Sequence, residues 1–267
     1  MIAHCRSILN TFIVLAAVIL LPAAAENVRA AGTASEIIAF GDSITQGYPE
    51  VGQPPHGLRI GGYEPDLENL TDARYEHFDV FNYGWGGETS WEGLQRFDYV
   101  MSQHPMAKYV LLLEGTNDIW SGISREDTIY FLSIMVDKAR DYGIEPVWGT
   151  LTPDLRSGAG DAKNVPLYNT LIRAKAAEKN VILADLYNEM VTDWVEVYTD
   201  YDLLHPNRAG YIKMAEVWFA AAFACSNGYL DQCAAKEECA AAGGFWFGDF
   251  CHSLPPPLNG AYLLLGK

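Results

Sequence analysis

The chain has 267 residues, 49% of them hydrophobic, with 34 acidic against 18 basic side chains and a net charge of −16. So acidic a surface repels nucleic acid and anionic lipid, and neither is expected as an electrostatic partner. The length and apolar content suit one α/β domain with a small appendage.

Residues 1–25 read as a secretory signal peptide. Arg6 supplies the positive start, and the apolar run from Phe12 to Leu21 is short for a membrane span. Ala23-Ala24-Ala25 offers a small-residue cleavage site. The expected location is secreted or periplasmic, with no stable membrane insertion after cleavage. An uncleaved N-terminal membrane anchor is the alternative.

Strands and helices then alternate. Glu36–Phe40 is a short apolar run closed by Gly41, and Phe78–Phe81 is a second. Tyr109–Leu113 is the clearest strand, with no charged residue, as a strand covered on both faces requires. Ile144–Thr150 and Val181–Leu186 complete five strands. Between them, Ser124 through Asp127 resembles a capping-box helix start. Ile129, Leu132, Met135, Val136 and Ala139 follow at helical spacing until Gly143. Pro166 to Lys179 and Pro206 to about Ala224 are further helices. This alternation predicts an α/β fold: a parallel five-stranded sheet between two helical layers.

Two segments depart from the alternation. Tyr48–Gly62, rich in Pro and Gly, predicts a loop at the rim of a site. Residues 225–267 hold Cys225, Cys233, Cys239 and Cys251 and a run of three prolines. The cysteine spacings do not match paired zinc ligands and fit two disulfides in an oxidising compartment, in any of three pairings. The expected domains are a signal peptide at 1–25, a main domain at 26–224 and a cross-linked appendage and tail at 225–267.

Chemistry-bearing motifs sit where the strands should end. Ser43, in Gly41-Asp42-Ser43, follows the first strand, where open α/β sheets bind ligands. Alone it reads as well as a helix cap. A serine hydroxyl needs a base to become a nucleophile. Of six histidines, His205 stands out because it follows Asp202 by three residues and precedes Pro206. In a turn, that spacing lets the carboxylate meet Nδ1–H and leaves Nε2 to take the serine proton. The oxyanion formed on attack needs preorganised donors. Candidates are the Ser43 N–H, the glycine-rich turn Asn82–Thr89 and the Asn117 side-chain amide. Asp42 reads as a turn or capping residue.

Those blocks resemble the SGNH hydrolases, the GDSL-type esterases and lipases, over roughly Glu36 to Ala222. Gly41-Asp42-Ser43 looks like the first family block, Gly87 in Gly84-Trp85-Gly86-Gly87-Glu88-Thr89 the second, Gly115-Thr116-Asn117-Asp118 the third and Asp202 to His205 the last. The resemblance implies a flavodoxin-like three-layer sandwich. It implies Ser43 as nucleophile, His205 as base and Asp202 as its orienter. The oxyanion hole would comprise the Ser43 N–H, the Gly87 N–H and the Asn117 side chain, with Gly84 and Gly86 as nearby alternatives to Gly87. The implied reaction is two-step ester hydrolysis through an acyl-enzyme, with no metal or organic cofactor. Activity should fall as acid protonates the imidazole.

Trp85 and Trp120, beside the second and third blocks, are candidate substrate contacts, whereas Trp91 reads as packing. The expected partner is an ester substrate, an acylated glycan or a lipid. Export and the aromatic rim favour short acyl groups, acetyl included, on carbohydrate. Alternatives are a lysophospholipase or arylesterase, an acyltransferase with the same triad, or a binding module that kept the fold without catalysis. Nothing in the sequence sets the oligomeric state.

Overall fold

In the computed structural model the described residues are 35–49, 61–74, 77–157, 164–200, 202–223, 244–247 and 250–253. The expected signal peptide, most of the Tyr48–Gly62 loop, and Cys225, Cys233 and Cys239 lie outside them.

Five parallel strands form the sheet: β1 (Ser35–Gly41), β2 (Phe78–Gly84), β3 (Ala107–Leu113), β4 (Glu145–Gly149) and β5 (Ile182–Ala184). Their order is β2-β1-β3-β4-β5. The chain leaves β1 to one side and returns on the other, so the winding reverses between β1 and β3. A crevice opens at such a reversal, outside the carboxyl ends of the strands.

The helices are α1 (Ser43–Gln46), α2 (Glu64–Arg74), α3 (Ser90–Gln103), α4 (Thr116–Ser121), α5 (Arg125–Asp141), α6 (Val165–Glu178), α7 (Leu186–Met190) and α8 (Arg208–Phe223). A π-helical turn, Trp194–Tyr198, separates α7 from α8. Alternate strand residues feed two cores. Ile37 and Ala39 pack with Leu67, Tyr211, Met214 and Trp218 beneath α2 and α8. Ile38 and Phe40 pack with Phe97, Leu132, Met135 and Ile172 beneath α3, α5 and α6. Both faces are buried, which is why these strands read as continuous apolar runs.

The predicted α5 is present, with Ser124 as its N-cap accepting the Asp127 N–H and all five spaced apolar residues buried. Other boundaries move for local reasons. β2 extends to Gly84 because it pairs with β1 as far as Gly41, so Asn82 and Tyr83 belong to the strand and not to the glycine turn. β5 ends at Ala184 because Asp185 caps α7. α8 begins at Arg208 because Pro206 bridges to Thr199 and the Asn207 side chain takes the Gly210 N–H. Helix α2 escapes sequence reading because its buried side includes Glu64 and Thr71 beside Leu67, which blurs the apolar stripe. Farther along, β6 (Gly244–Phe247) and β7 (Phe250–Ser253) pair antiparallel, and Cys251 lies on β7.

Candidate active site

Ser43 is the first residue of α1, immediately beyond β1. Its N–H is among those a helix start leaves without an internal acceptor. Asp42 Oδ1 accepts the Ile44 N–H at 2.9 Å, the capping role its position predicts. Burial pushes the Asp42 carboxyl up to about 7; Asp118 and Glu88 add to this, and the Ile44 N–H and Arg156 oppose it. The turn is pressed onto the strand ends. A side-chain carbon at Gly41 would lie 2.2 Å from Thr45 Oγ1, and one at Gly84 would lie 2.0 Å from the Gln46 nitrogen. Asn82 Nδ2 donates to Thr45 O at 2.8 Å and fixes α1 from the β2 side.

His205 reaches Ser43 from a loop 162 residues away in sequence, and Nε2 lies 2.8 Å from the Ser43 Oγ. On the other side of the ring, Nδ1 lies 2.6 Å from Asp202 Oδ2. Asp202 Oδ1 accepts the N–H groups of Leu204 and His205 at 3.0 and 2.9 Å. Burial raises the Asp202 carboxyl, but its hydrogen bonds from the His205 ring and these two N–H groups outweigh that and hold it below its ordinary 3.8. An ionised carboxylate only accepts. Nδ1 therefore carries the ring proton, and Nε2 faces the Ser43 hydroxyl as an acceptor.

The loop holding the pair is strained and anchored. Leu203 has φ of 60°, a left-handed conformation costly for a side chain of this size. Its carbonyl accepts from Leu155 N at 3.1 Å and Trp194 Nε1 at 3.3 Å. Thr199 Oγ1 donates to the His205 carbonyl at 2.8 Å. The Tyr48 ring stands edge-on to the His205 ring, 4.7 Å between centroids, while Tyr211 OH holds the Tyr48 carbonyl. Sequence reading puts Tyr48 at the start of the expected rim loop but gives no sign of its contact with His205.

Beyond β2, the Trp85 N–H donates to Gly41 O and the Glu88 N–H to Trp85 O, which closes the turn through Gly86 and Gly87. Gly87 has φ of 82°, so glycine is needed there for conformation; no crowding is involved. The Gly84 N–H is already taken by Asn82 Oδ1 at 2.9 Å, which removes Gly84 as an oxyanion donor. Gly86 stays beside the nucleophile: a carbon built on it would lie 3.8 Å from Ser43 Cβ. Asn117, on α4 just beyond β3, donates one amide N–H to Glu88 O at 2.8 Å and so is fixed against this turn.

A second feature that sequence reading missed holds the turn from below. Arg96 Nε bonds both Glu88 carboxylate oxygens at 2.7 and 3.0 Å, and Nη2 reaches Tyr83 O and Gly41 O at 2.8 and 3.3 Å. Its guanidinium lies 4.0 Å over the Phe40 ring. Glu114, fully buried beside Glu88, has its carboxyl raised well above 4.5, chiefly by burial and then by Asp42 and Glu88. Its surroundings therefore favour the neutral form. Asp118 of the third block is structural: it accepts from Ser90 N, Ser90 Oγ and Thr128 Oγ1, joining α3 to α5.

Other candidates separate cleanly. His77 pairs with Asp72 and Asp79, and buried His104 with Glu36 and the Tyr83 hydroxyl, so Tyr83 also belongs to packing. Trp85 and Trp120 are half exposed at 49% and 44%. Trp91 leans on Phe131, although half of it stays exposed. Among the described residues no group of His, Cys, Asp and Glu is arranged to hold a metal ion, and no helix is long and apolar enough to cross a membrane.

Residues 39–212, which contain every block of this site, match the model of the GDSL-like Lipase/Acylhydrolase family. The chain belongs to that family. A multidomain esterase of Ruminococcus flavefaciens is 30% identical over 237 residues, which take in 74% of this chain and 30% of that protein. The chain thus spans under a third of its relative's length. Among solved structures, an acetylxylan esterase of Geobacillus stearothermophilus superposes with a TM-score of 0.59 at 20% identity, covering 71% of this chain and 94% of the other. A lipolytic G-D-S-L family protein of Veillonella parvula gives 0.56 at 26% identity, with 71% and 98% covered.

Proposed function

We propose that this GDSL-family chain hydrolyses carboxylic esters with Ser43 as nucleophile, His205 as base and Asp202 as the group that orients the base. The observation carrying this is the unbroken path from Ser43 Oγ to His205 Nε2 at 2.8 Å and from Nδ1 to Asp202 at 2.6 Å. As Oγ attacks the acyl carbon, its proton passes to Nε2 and the carbonyl oxygen becomes an oxyanion. The Ser43 N–H, the Gly87 N–H and the Asn117 amide would receive that charge; the amide is held by Glu88 O at 2.8 Å and makes only a long 3.5 Å contact with Asp42 Oδ2, the one it would give up for the oxyanion. Collapse expels the alcohol, which takes the proton from Nε2. Water then repeats the sequence on the acyl-enzyme, regenerating Ser43 and releasing the acid.

The proposed substrates are short acyl esters, acetyl included, on carbohydrate. The half-exposed Trp85, in the turn with Gly86 and Gly87, and Trp120, on α4 three residues beyond Asn117, support this reading. Residues 1–25, read as a signal peptide, support export to where polysaccharides are met. We assign the activity to residues 26–224 and treat 225–267 as an appendage.

The test is ester turnover by wild type and by Ser43→Ala. Loss of the nucleophile should lower kcat by at least about 10⁴-fold. Equal turnover by the two proteins would overturn the assignment. A series of p-nitrophenyl esters tests the acyl preference, and faster cleavage of long chains than of acetate would reject the short-acyl reading.

A further inference from the structure

Beside the triad stands a second built arrangement, assembled by the segment that follows β4. Asp154 is fully buried, and its carboxylate fixes two planar groups at once. Oδ2 accepts the Trp120 indole N–H at 3.2 Å. Arg156 donates from Nε to Oδ1 at 2.9 Å and from Nη2 to Oδ2 at 2.8 Å. The guanidinium thereby lies against the indole, 4.5 Å from the ring centroid. Each group would be mobile alone; the shared carboxylate sets them in one orientation.

The position of this shelf is what gives it a role. Trp120 lies on α4, three residues beyond Asn117. The Leu155 N–H is bonded to Leu203 O, in the loop that carries Asp202 and His205. Arg156 is close enough to Asp42, next to the nucleophile, to act on its carboxyl electrostatically. The shelf therefore borders the crevice between the Asn117 side and the base side. Trp120 keeps 44% of its surface exposed, and Arg156 Nη1 has no acceptor among the described residues.

The chemistry selects a neutral, hydroxyl-bearing ligand. Asp154 compensates the charge of Arg156, and the chain carries −16 overall, so an anion gains little here. A sugar ring offers what fits: a C–H face to lie on an aromatic surface and adjacent hydroxyl oxygens to accept from a guanidinium fork. We propose that Trp120 and Arg156, held by Asp154, form the subsite that receives the sugar ring of an acylated neutral glycan and so set specificity for the alcohol part of the ester. This rests on the proposed triad but concerns a different part of the substrate.

The experiment compares wild type, Trp120→Ala, Arg156→Gln and Arg156→Lys on p-nitrophenyl acetate and on a partially acetylated xylo-oligosaccharide. Arg156→Lys keeps a cation beside Asp154 and protects the fold, yet loses the planar fork; melting curves accompany each variant. Losing one good polar or stacking contact corresponds to about a tenfold change. Each variant should therefore lose roughly tenfold more kcat/KM on the oligosaccharide than on the aryl ester, with the difference carried by KM. Equal losses on both substrates would show a purely structural pin and overturn the proposal, as would an unchanged KM for the oligosaccharide. Wild type that cleaves the aryl ester and ignores the oligosaccharide would overturn the subsite and leave the hydrolase intact. Wild type that cleaves neither would remove the triad reading and the subsite together.

Discussion

Replacing Asp202 by Asn tests the orientation of His205 without dismantling the loop. In the variant, Oδ1 still faces the N–H groups of Leu204 and His205, now at 3.0 and 2.9 Å, so the turn keeps its hydrogen bonds. The change falls on the second position, 2.6 Å from Nδ1, where an acceptor becomes an NH₂ donor. Two donors cannot share that contact. The ring proton moves to Nε2, which then points a hydrogen at Ser43 Oγ and can no longer accept one. The same substitution in a serine protease triad costs about 10⁴ in kcat, equivalent to roughly 5.5 kcal/mol at 1.36 kcal/mol per decade. A loss of about 10³–10⁴ is expected here, with a small change in Tm because the backbone contacts survive. Steady-state hydrolysis of p-nitrophenyl acetate beside thermal unfolding by circular dichroism measures both. A folded variant with less than a tenfold loss would refute the reasoning.

Three other perturbations probe what surrounds the triad. Arg96→Ala leaves the buried Glu88 carboxylate unpaired; breaking such a pair costs about 3–5 kcal/mol, and a Tm fall of roughly 6–20 °C is expected in a melting experiment. Turnover should fall as well, since Glu88 O holds Asn117. Glu114→Gln isolates one pH effect: above its ordinary 4.5 the unfolded carboxyl releases a proton that the folded one keeps, so Glu114 lowers the stability of wild type as pH rises, and the Gln variant lacks this contribution. The stability gained by Glu114→Gln should be larger at pH 8 than at pH 5 in chemical unfolding, and a constant difference would count against a neutral Glu114. Tyr48→Ala removes the ring against His205, worth about 0.5–1.5 kcal/mol, and kcat/KM should drop roughly two- to tenfold, with Tyr48→Phe near wild type.

Much of this protein follows from local sequence, and the reason lies in its sheet. Parallel strands buried on both faces must be short apolar runs, so β1, β3 and β4 declare themselves. The helix from Arg125 shows its cap and its stripe. The blocks around Ser43, Gly87, Asn117 and His205 are legible because each needs a fixed residue type at a strand end. Even the separation of roles between Asp42 and Asp202 could be drawn from spacing. Pairing across strands and packing beneath charged residues have no such local mark. That is why neither the end of β2 nor the helix α2 shows in the local sequence.

The sequence by itself determined the layers of the fold and the identity of the nucleophile, base and acid proposed for it. Only the tertiary structure decided how those groups meet: a reversal in strand order puts the ends of β1 and β3 at one crevice, and a strained Leu203 loop carries His205 across 162 residues to Ser43. It also decided which residues support them. Arg96 becomes a clamp, the Glu114 carboxyl is pushed well above its ordinary range, and Arg156 is laid on Trp120 because of what surrounds them in space. A charged residue in sequence carries no sign of its neighbours; its pairing and its burial exist only once distant segments have been brought together.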